Sequence, residues 1–366
     1  MQKRVVVAMS GGVDSAVAAA LLQRQGYEVI GITICFNLAD SPKKRPGCCS
    51  FQGIEDARKV AHKLGIRHYV LNMQKKLEEF VIGDFCQEYL GGRTPNPCVR
   101  CNQYIKFGVL LKKALSLNAD YLATGHYARI ERSPRRHVAT SPTYLLKKGR
   151  DKFKDQSYFL YRLNQNQLKH IIFPLGNYTK EEVRKLARGF GLAVADKLAS
   201  QEICFLAGGD YRGFLKERLR GLRAAGPKPG PVMDKQGNIL GQHKGIAFYT
   251  IGQREGLGIS SGQALYVTRI DPKNNSIMVG AKEDACSREF WVKEPHFIAK
   301  ELKKKVAVKV RIRYNHRQAW AQIAPGKNRI KVCFRKPQFA ATAGQSAVFY
   351  DKDIVLGGGI IDEVLA

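Results

Sequence analysis

The sequence predicts an α/β fold in which a doubly wound parallel-sheet domain is followed by a small β-rich central domain and a C-terminal β-barrel. An apolar run at residues 5–8 leads through two glycines into an alanine-rich helix. Short apolar strands and amphipathic helices then alternate up to about residue 210, which is typical of a parallel sheet. Beyond that point short alternating strands separated by Gly- and Pro-containing turns are typical of small barrels.

The first strand–turn–helix unit carries the most specific motif of the chain. Residues 9–15 read Met-Ser-Gly-Gly-Val-Asp-Ser and lie between the predicted strand and the predicted helix. Glycines let the backbone approach an anion, and the helix N-terminus adds N–H groups and the positive end of its dipole. The motif has neither the lysine of the GxxxxGK[ST] loop nor the spacing of the GxGxxG fingerprint. We therefore predict a phosphate site of a different type.

The following elements complete the predicted sheet. Apolar segments at 27–35 and 68–71 are predicted strands, and 51–64 and 74–90 are predicted helices. A loop with two glycines and two prolines then carries Cys98 and Cys101, and a helix is predicted from about 102 to 116. The predicted strand at 119–123 ends in Thr-Gly-His-Tyr-Ala. Since a doubly wound sheet binds nucleotides at the carboxyl ends of its strands, this turn is expected to line the same crevice as residues 9–15.

Charge and cysteine content indicate which partner and which cellular compartment the protein has. The chain of 366 residues has 61 Lys and Arg against 31 Asp and Glu, a formal charge of +30. Such an excess is typical of a phosphate-rich partner, with a general basic bias of the proteome as the alternative. The sequence contains no run of 18 apolar residues, so no membrane span is predicted. The N-terminus leads directly into a predicted strand, so no signal peptide is expected. An odd number of cysteines, nine, favours a reducing cytoplasm.

Residues 10–15 resemble the PP-loop of ATP pyrophosphatases, which release pyrophosphate from ATP and leave AMP on a substrate oxygen. Over essentially its whole length the chain resembles the family of bacterial tRNA-uridine 2-sulfurtransferases, or tRNA-specific 2-thiouridylases. The resemblance is carried by the PP-loop and by motifs at 92–97, 105–108, 124–128, 154–160, 201–205, 250–254 and 313–314.

The resemblance implies ATP-dependent formation of 2-thiouridine at the wobble position of tRNA. It implies a PP-loop domain at 1–209, a central β-rich domain at 210–284 and a tRNA-contacting C-terminal barrel at 285–366. ATP would adenylate the uracil C2 oxygen, with Mg²⁺ shielding its phosphates. The residues that the resemblance assigns to ATP are Ala8, Met9, Ser10, Gly11, Gly12, Val13, Asp14, Ser15, Ile34 and Gly125.

The resemblance also assigns two cysteines and the tRNA contacts. Cys204 would carry a persulfide loaded by a cysteine desulfurase or a sulfur-relay protein, and Cys101 would attack it, freeing sulfide or forming a disulfide. The resemblance places Asn96, Pro97 and Cys98 at a target base taken out of its stack. It places Lys154, Asp155, Gln156, Arg313 and Tyr314 on the tRNA backbone and nearby bases.

Cys98 is a departure from the family, since many members have Asp at this position. The substitution puts a proton-transfer role of that Asp in doubt and creates Cys98-x-x-Cys101. With Cys204 as a third thiolate, an iron–sulfur cluster is an alternative to the persulfide relay. Cys48 and Cys49 are adjacent and form a poor chelate, so a loop role is expected for them. The remaining cysteines read as core or strand residues: Cys35, Cys86, Cys286 and Cys333.

Two other classes of function are open at this stage. One is a PP-loop synthetase that acts on a small molecule, for which neither RNA affinity nor Cys101 and Cys204 would be needed. The other is a tRNA-binding protein with an inactive nucleotide site, against which the intact PP-loop argues.

Overall fold

The structure is a computed structural model that describes residues 2–36, 51–133, 143–197, 203–221, 227–299 and 301–365. The chain forms two compact units. The first unit comprises Met1–Val81, Cys98–Asp210 and Asp353–Leu356, and the second comprises Ile82–Pro97, Tyr211–Lys352 and Gly357–Ala366. The chain therefore leaves the second unit between Pro97 and Cys98, within the motif that the sequence assigns to the target base.

The described strands, in chain order, are β1 (Arg4–Ala8), β2 (Glu28–Cys35), β3 (Arg67–Asn72), β4 (Tyr121–Thr124), β5 (Ala128–Arg132), β6 (Tyr144–Lys148), β7 (Ile171–Ile172), β8 (Gly230–Met233), β9 (Ile239–His243), β10 (Tyr266–Asp271), β11 (Ser276–Gly280), β12 (Cys286–Phe297), β13 (Val306–Arg311), β14 (Ala319–Pro325), β15 (Arg329–Phe339), β16 (Ser346–Asp351) and β17 (Ile354–Leu365).

The described α-helices are α1 (Val13–Arg24), α2 (Phe51–Leu64), α3 (Gln74–Leu77), α4 (Gly83–Leu90), α5 (Pro97–Arg100), α6 (Leu111–Ser116), α7 (Gln165–Leu168), α8 (Lys180–Gly189) and α9 (Tyr211–Gly221). Short 3₁₀ turns are formed by Ser157–Leu160, Ala207–Gly209, Ile246–Phe248 and Glu283–Ala285, and the π-helical segments are Glu78–Ile82 and Cys101–Leu110.

The first unit is organised around a parallel sheet with strand order β3-β2-β1-β4-β7. The central strand β1 is fully buried at Val5–Val7, because α1 and α8 belong to an apolar cluster that covers the sheet. Small side chains let α1 lie close to the strands, and its Ala16–Ala20 are at most 3% exposed. The predicted doubly wound sheet is thus confirmed, and all its strands end at one edge.

Two predicted helices contain π-helical turns that the sequence pattern does not indicate. The helix predicted at 102–116 is present, but Cys101–Leu110 is π-helical and the α-helix begins at Leu111. The helix predicted at 74–90 has the same kind of interruption at Glu78–Ile82. A π-turn adds one residue per hydrogen-bonded ring, and such turns are frequent at functional sites. Cys101 therefore stands at the first position of an unusual backbone segment.

The second unit contains the β-rich part of the chain. One sheet has the order β10-β11-β8-β9, and β12-β15-β14-β13-β16-β17 form a barrel that the pairing of β12 with β17 closes. Alternate side chains of these strands fill the interior, where Phe290, Phe334 and Phe349 are fully buried. The predicted central β-rich part and C-terminal barrel are confirmed. In the described ranges no helix is both long and apolar enough to cross a bilayer.

Candidate active site

The turn between β1 and α1 has the backbone of an anion site. Gly11 adopts a positive φ of 70°, and a Cβ there would overlap the carbonyl oxygen of Gly53. The loop is closed by the Ser15 hydroxyl, which accepts from the Ser10 N–H at 3.1 Å and donates to the Gly12 carbonyl at 3.0 Å. The first N–H groups of a helix have no partner inside it, so those of α1 face the loop where an anion would complete their bonds.

Asp14, in the first turn of α1, is held by two groups from elsewhere in the first unit. Lys180 Nζ donates to its two carboxylate oxygens at 2.6 and 2.8 Å, and the Tyr127 hydroxyl donates at 2.8 Å. Burial and the neighbouring Asp14 carboxylate raise the pKa of Tyr127, which keeps its hydroxyl a donor. Lys180 is the first residue of α8 and is not indicated by any motif. The Thr179–Glu182 capping box predicts where α8 begins, but not that its first side chain reaches the loop.

A second lysine from outside the motif also reaches the loop. Lys197 Nζ donates to the Gly11 carbonyl oxygen at 3.0 Å and pairs with Asp56 at 2.5 Å. Burial alone would raise the pKa of Asp56, but its bonds to Lys197 and Gln52 outweigh burial and lower it. The motif without its own lysine is therefore flanked by two ammonium groups that come from α8 and from the segment after it.

The turn after β4 lies against the same loop, as the sheet topology predicts. A Cβ at Gly125 would lie 2.9 Å from the Asp14 carbonyl carbon and 2.9 Å from the Ser15 nitrogen, so only hydrogen fits there. His126 is buried, its Nδ1 lies 2.7 Å from the Thr124 hydroxyl, and burial holds its pKa well below the ordinary value. A neutral His126 is consequently part of the framework of this turn.

Ile34 lies on the same edge of the sheet. It is located in β2, two residues beyond Ile32, which pairs with the last residue of β1. Its neighbour Thr33 donates its hydroxyl proton to the Met9 carbonyl oxygen at 2.8 Å. The structure thus gathers the residues assigned to ATP around the carboxyl ends of β1, β2 and β4, while their contact with ATP stays a prediction.

The two cysteines of the predicted relay, and Cys98 of the alternative cluster, lie in short helical or turn segments. Cys98 is in the short helix α5, Cys101 is 9% exposed at the start of the π-helical segment, and Cys204 is partly exposed in the turn before Ala207–Gly209. Across the residues that the structure describes, no three His, Cys, Asp or Glu side chains are gathered so that they could hold a metal ion. The roles of Cys98, Cys101 and Cys204 stay a prediction.

The other cysteines have structural surroundings. Cys35 and Cys333 are in strands, Cys86 is in α4, and Cys286 begins β12. Burial raises the pKa of both Cys286 and Cys333, which makes them poor thiolates. Cys48 and Cys49 lie outside the described residues.

The segment that leads to Asn96 and Pro97 is fixed within the second unit. Arg93 bonds to the Glu88 carboxylate at 2.8 Å, to Asp362 Oδ1 at 3.3 Å and to the Ile361 carbonyl oxygen at 3.2 Å. The amide of Gln345 donates to the carbonyl oxygens of Thr94 and Pro95 at 3.0 Å each. Asn96 and Pro97 follow directly, so the segment assigned to the target base begins from a rigid support.

The residues predicted at 154–156 belong mainly to the framework of the first unit. Asp155 is 4% exposed, and its carboxylate accepts from the N–H groups of Gly149 and Ser157 at 3.1 Å each. Gln156 exchanges two hydrogen bonds with the backbone of Tyr127, at 2.9 and 3.0 Å. The side chains of Asp155 and Gln156 are thus used inside the fold, and the RNA contacts predicted for Lys154, Asp155 and Gln156 stay a prediction.

Arg313 and Tyr314 lie in the turn that follows β13. Arg313 Nη1 donates to the Phe339 carbonyl oxygen at 2.8 Å, and the Arg311 guanidinium lies 5.5 Å from the centre of the Tyr314 ring. His316 closes the turn, because its N–H donates to the Arg313 carbonyl oxygen at 3.0 Å and its own carbonyl accepts from Arg311 Nε at 3.2 Å. These contacts present a basic and aromatic pair on the second unit.

Comparisons with known proteins cover the chain from end to end. Residues 3–208 match the family model described as tRNA methyl transferase HUP domain, residues 214–281 the PRC-barrel domain of the same series, and residues 287–361 an aminomethyltransferase beta-barrel domain. The tRNA-specific 2-thiouridylase MnmA of Halothermothrix orenii is 52% identical over 98% of this chain and 99% of its own length. The protein of that name from Clostridium acetobutylicum is 47% identical over 99% of this chain and 100% of its own.

Proposed function

This chain belongs to the family of tRNA-specific 2-thiouridylases and is a tRNA sulfurtransferase, and from this premise we propose how it acts. It uses ATP to adenylate the C2 oxygen of the wobble uridine in tRNA. It then transfers sulfur to C2 from a persulfide on Cys204, with release of AMP. The observation that supports this most directly is the glycine loop at the N-terminus of α1, with Asp14, Lys180 and Lys197 around it.

The first step converts a poor leaving group into a good one. The uracil C2 oxygen attacks the α-phosphorus of ATP, the bond to the bridging oxygen breaks, and pyrophosphate leaves. The N–H groups of α1, together with the ammonium groups of Lys180 and Lys197 that pair with Asp14 and Asp56, would stabilise the negative charge that gathers on the departing pyrophosphate. Preorganised donors of this kind stabilise the transition state without moving in the reaction.

Magnesium fits this site as a companion of ATP. Residues 9–15 contain one carboxylate, Asp14, and no trio of metal-binding side chains is present in the described ranges. A Mg²⁺ ion would thus be held chiefly by the triphosphate itself, with Asp14 as the protein oxygen donor nearby. When bound, Mg²⁺ supplies neutralisation of phosphate charge.

In the second step, the outer sulfur of a persulfide on Cys204 is transferred to C2 of the uracil. The terminal sulfur on Cys204 attacks C2, and the C2–O bond breaks as AMP leaves. The Cys101 thiolate then attacks the Sγ of Cys204, the S–S bond to the transferred sulfur breaks, and the sulfur remains on C2. A Cys101–Cys204 disulfide results, which a cytoplasmic dithiol reductant reduces with two electrons before a donor protein reloads Cys204. The donor is a cysteine desulfurase or a sulfur-relay protein.

The proposal is tested by incubating the purified protein with unmodified tRNA, ATP, Mg²⁺ and a persulfide donor, and by digesting the tRNA for mass spectrometry. We expect 2-thiouridine and AMP in equal amounts, and neither product when ATP is omitted. Formation of AMP and a tRNA product without sulfur at the wobble uridine would overturn the proposal.

A further inference from the structure

The motif Ile-Lys-Phe-Gly at 105–108 has no part in the adenylation and sulfur-transfer steps described above. It lies inside the π-helical segment Cys101–Leu110, which continues α5 and leads into α6. The flanking residues Arg100 and Leu111 keep α-helical φ and ψ, so the helix runs through this segment without a break. Turns of the π type are rare, and those that occur are frequently found at functional sites. The first residue of this segment is Cys101, the second thiol of the proposed relay.

Gly108, the last residue of the motif, is suited to the π-helical backbone. A Cβ at Gly108 would lie 3.0 Å from the carbonyl oxygen of Gln103, which is five residues earlier and closer than an ordinary van der Waals contact. This approach arises because a π-helical turn closes its hydrogen-bonded ring between residues i and i+5. Glycine is otherwise unfavourable in a helix interior relative to alanine. Gly108 therefore favours a π-helical turn over an α-helical turn at this point of the chain.

A stacked pair of aromatic rings holds the segment from outside the helix. The ring centres of Phe80 and Tyr104 are 5.0 Å apart, and the angle between the two ring planes is 18°. Phe80 belongs to the other π-helical segment, Glu78–Ile82, so the two π-helical segments of the first unit meet at this pair. Aromatic pairs in such an arrangement contribute stability beyond the area that they bury.

Further contacts fix the start of the segment and the motif itself. Asn102 Nδ2 donates to the Phe159 carbonyl oxygen at 3.3 Å, and Gln167 Nε2 donates to the Phe107 carbonyl oxygen at 2.8 Å. The ring of Phe107 is 1% exposed, and its centre lies 5.9 Å from that of the His126 ring. Since His126 is part of the turn after β4, the motif is packed against the framework of the nucleotide site.

We propose that Gly108 and the stack of Phe80 on Tyr104 hold this helix in its π-helical form and thereby place Cys101 for its attack on the Sγ of Cys204. A π-helical turn takes in one residue more than an α-helical turn, so conversion to an α-helix would rotate Cys101 about the helix axis relative to α6. The three residues are positioning residues, because they act through the backbone that carries Cys101. The inference rests on the proposed function, since it takes the attack of Cys101 as the step that releases thiolated tRNA from Cys204.

Gly108→Ala tests the π-helical turn, and Gly189→Ala in α8 is the matched control, because no atom lies within 4 Å of a Cβ at Gly189. Exchange of labelled pyrophosphate into ATP in the presence of tRNA should keep the wild-type rate in both variants, since the glycine loop is unchanged. Release of thiolated tRNA should fall about 100-fold in Gly108→Ala, because a misplacement of about 1 Å is enough for such a loss. The tRNA should then accumulate on Cys204 through a disulfide that thiols cleave.

Two results of this experiment would overturn the proposal. One is release of thiolated tRNA from Gly108→Ala at the rate of Gly189→Ala. The other is an equal fall in pyrophosphate exchange and in release, which is the result expected if Gly108 serves only the stability of the fold.

The aromatic stack provides a second test that does not depend on the folding of Gly108→Ala. Tyr104→Phe keeps the ring that stacks on Phe80 and should release thiolated tRNA at close to the wild-type rate. Tyr104→Leu removes the ring and should accumulate the same adduct of tRNA on Cys204. Equal rates of release in the two variants would contradict the proposal.

Alkylation by iodoacetamide measures the placement of Cys101 without tRNA, ATP or a persulfide donor. The rates for the peptides that contain Cys101 and Cys204 are compared by mass spectrometry. Cys101 is 9% exposed, so rotation of the helix should expose it and raise its rate several-fold relative to Cys204 in Gly108→Ala and Tyr104→Leu. An unchanged ratio of the two rates in both variants would overturn the proposal.

The alkylation ratio also separates this inference from the proposed function. If the wild type forms no 2-thiouridine but the ratio rises in the variants, the proposed function fails and the placement of Cys101 by the π-helical segment stands. If the wild type thiolates tRNA and the ratio stays unchanged, only the placement fails.

Discussion

Lys180 Nζ lies 2.6 and 2.8 Å from the two carboxylate oxygens of Asp14, so α8 supplies an ammonium group to the first turn of α1. The side chain of Lys180 is 14% exposed, which places this ion pair in a setting that water screens little. The loop motif has no lysine of its own, unlike the GxxxxGK[ST] loop. The contact therefore links the glycine loop to a positive charge from 166 residues further along the chain.

Lys180→Met is expected to lower the rate of adenylation about 100-fold, because removal of one preorganised donor commonly costs this much. Lys185→Met is the matched control, since Lys185 lies on the same helix, is 71% exposed and pairs with Glu181. Exchange of labelled pyrophosphate into ATP in the presence of tRNA measures the step. Equal exchange rates in the two variants, with tRNA binding intact, would show that Lys180 only braces Asp14.

Gly125→Ala is expected to displace the glycine loop at residues 9–15, against which Gly125 packs. The added Cβ would lie 2.9 Å from backbone atoms of Asp14 and Ser15, and overpacking of this kind costs about 1–3 kcal/mol. We expect a raised KM for ATP and a lower free energy of unfolding in urea. Gly189→Ala is the control, because no atom lies within 4 Å of a Cβ there and alanine favours the helix. Wild-type ATP kinetics in Gly125→Ala would rule out close packing as a requirement of the site.

The relay predicts that substitution of Cys204 and substitution of Cys101 stop the reaction at different steps. Cys204→Ser should adenylate tRNA but transfer no sulfur, since it lacks the atom that carries the persulfide. Cys101→Ser should stop one step later and trap tRNA on Cys204 through a disulfide, visible as a band on a gel that thiols abolish. Cys86→Ser, in α4, should behave as wild type. Multiple turnovers of thiolation by Cys101→Ser would contradict the second step.

His316 makes stability depend on pH. Its burial and the nearby Arg313 charge lower its pKa to about 4, against 6.5 for an ordinary histidine. Above pH 6.5 the ring is neutral in both states, whereas between 6.5 and 4 the unfolded chain takes up the proton first. Stability is consequently lost as the pH falls through this window, by up to about 3 kcal/mol.

Urea unfolding at pH 7.5 and pH 4.5 measures this effect, with His316→Gln as the variant that cannot titrate. The free energy of unfolding of the wild type should fall more between the two pH values than that of His316→Gln. The same fall in both proteins would mean that His316 is not held neutral. The backbone of His316 bonds to the Arg313 carbonyl oxygen and to the Arg311 Nε group, so loss of this turn should weaken tRNA binding over the same pH range.

Local signals predict the elements of this fold well. The turn at Gly11, the start of α8 at Thr179 and the alternating strands of the barrel each depend on neighbours in sequence. The turn at Gly125 is also predicted beside the loop, because the order of a doubly wound sheet brings strand ends together. The π-helical segment at Cys101 escapes prediction, since a short apolar pattern does not distinguish its period from that of an α-helix.

The parts of the site that sequence does not predict all depend on distant contacts. Lys180 and Lys197 reach the loop from 166 and 186 residues away, and their own neighbours in sequence carry no sign of it. Gln345 holds Thr94 across 251 residues.

The most direct test of the persulfide relay is sulfur incorporation into unmodified tRNA by protein shown to be free of iron, measured together with its Cys98→Ala variant. With ATP, Mg²⁺ and a persulfide donor, the relay predicts 2-thiouridine from both proteins at comparable rates. No product from the iron-free proteins, restored in the wild type by anaerobic reconstitution of a cluster and absent from Cys98→Ala, would contradict it. That result would make Cys98, Cys101 and Cys204 the ligands of an iron–sulfur cluster.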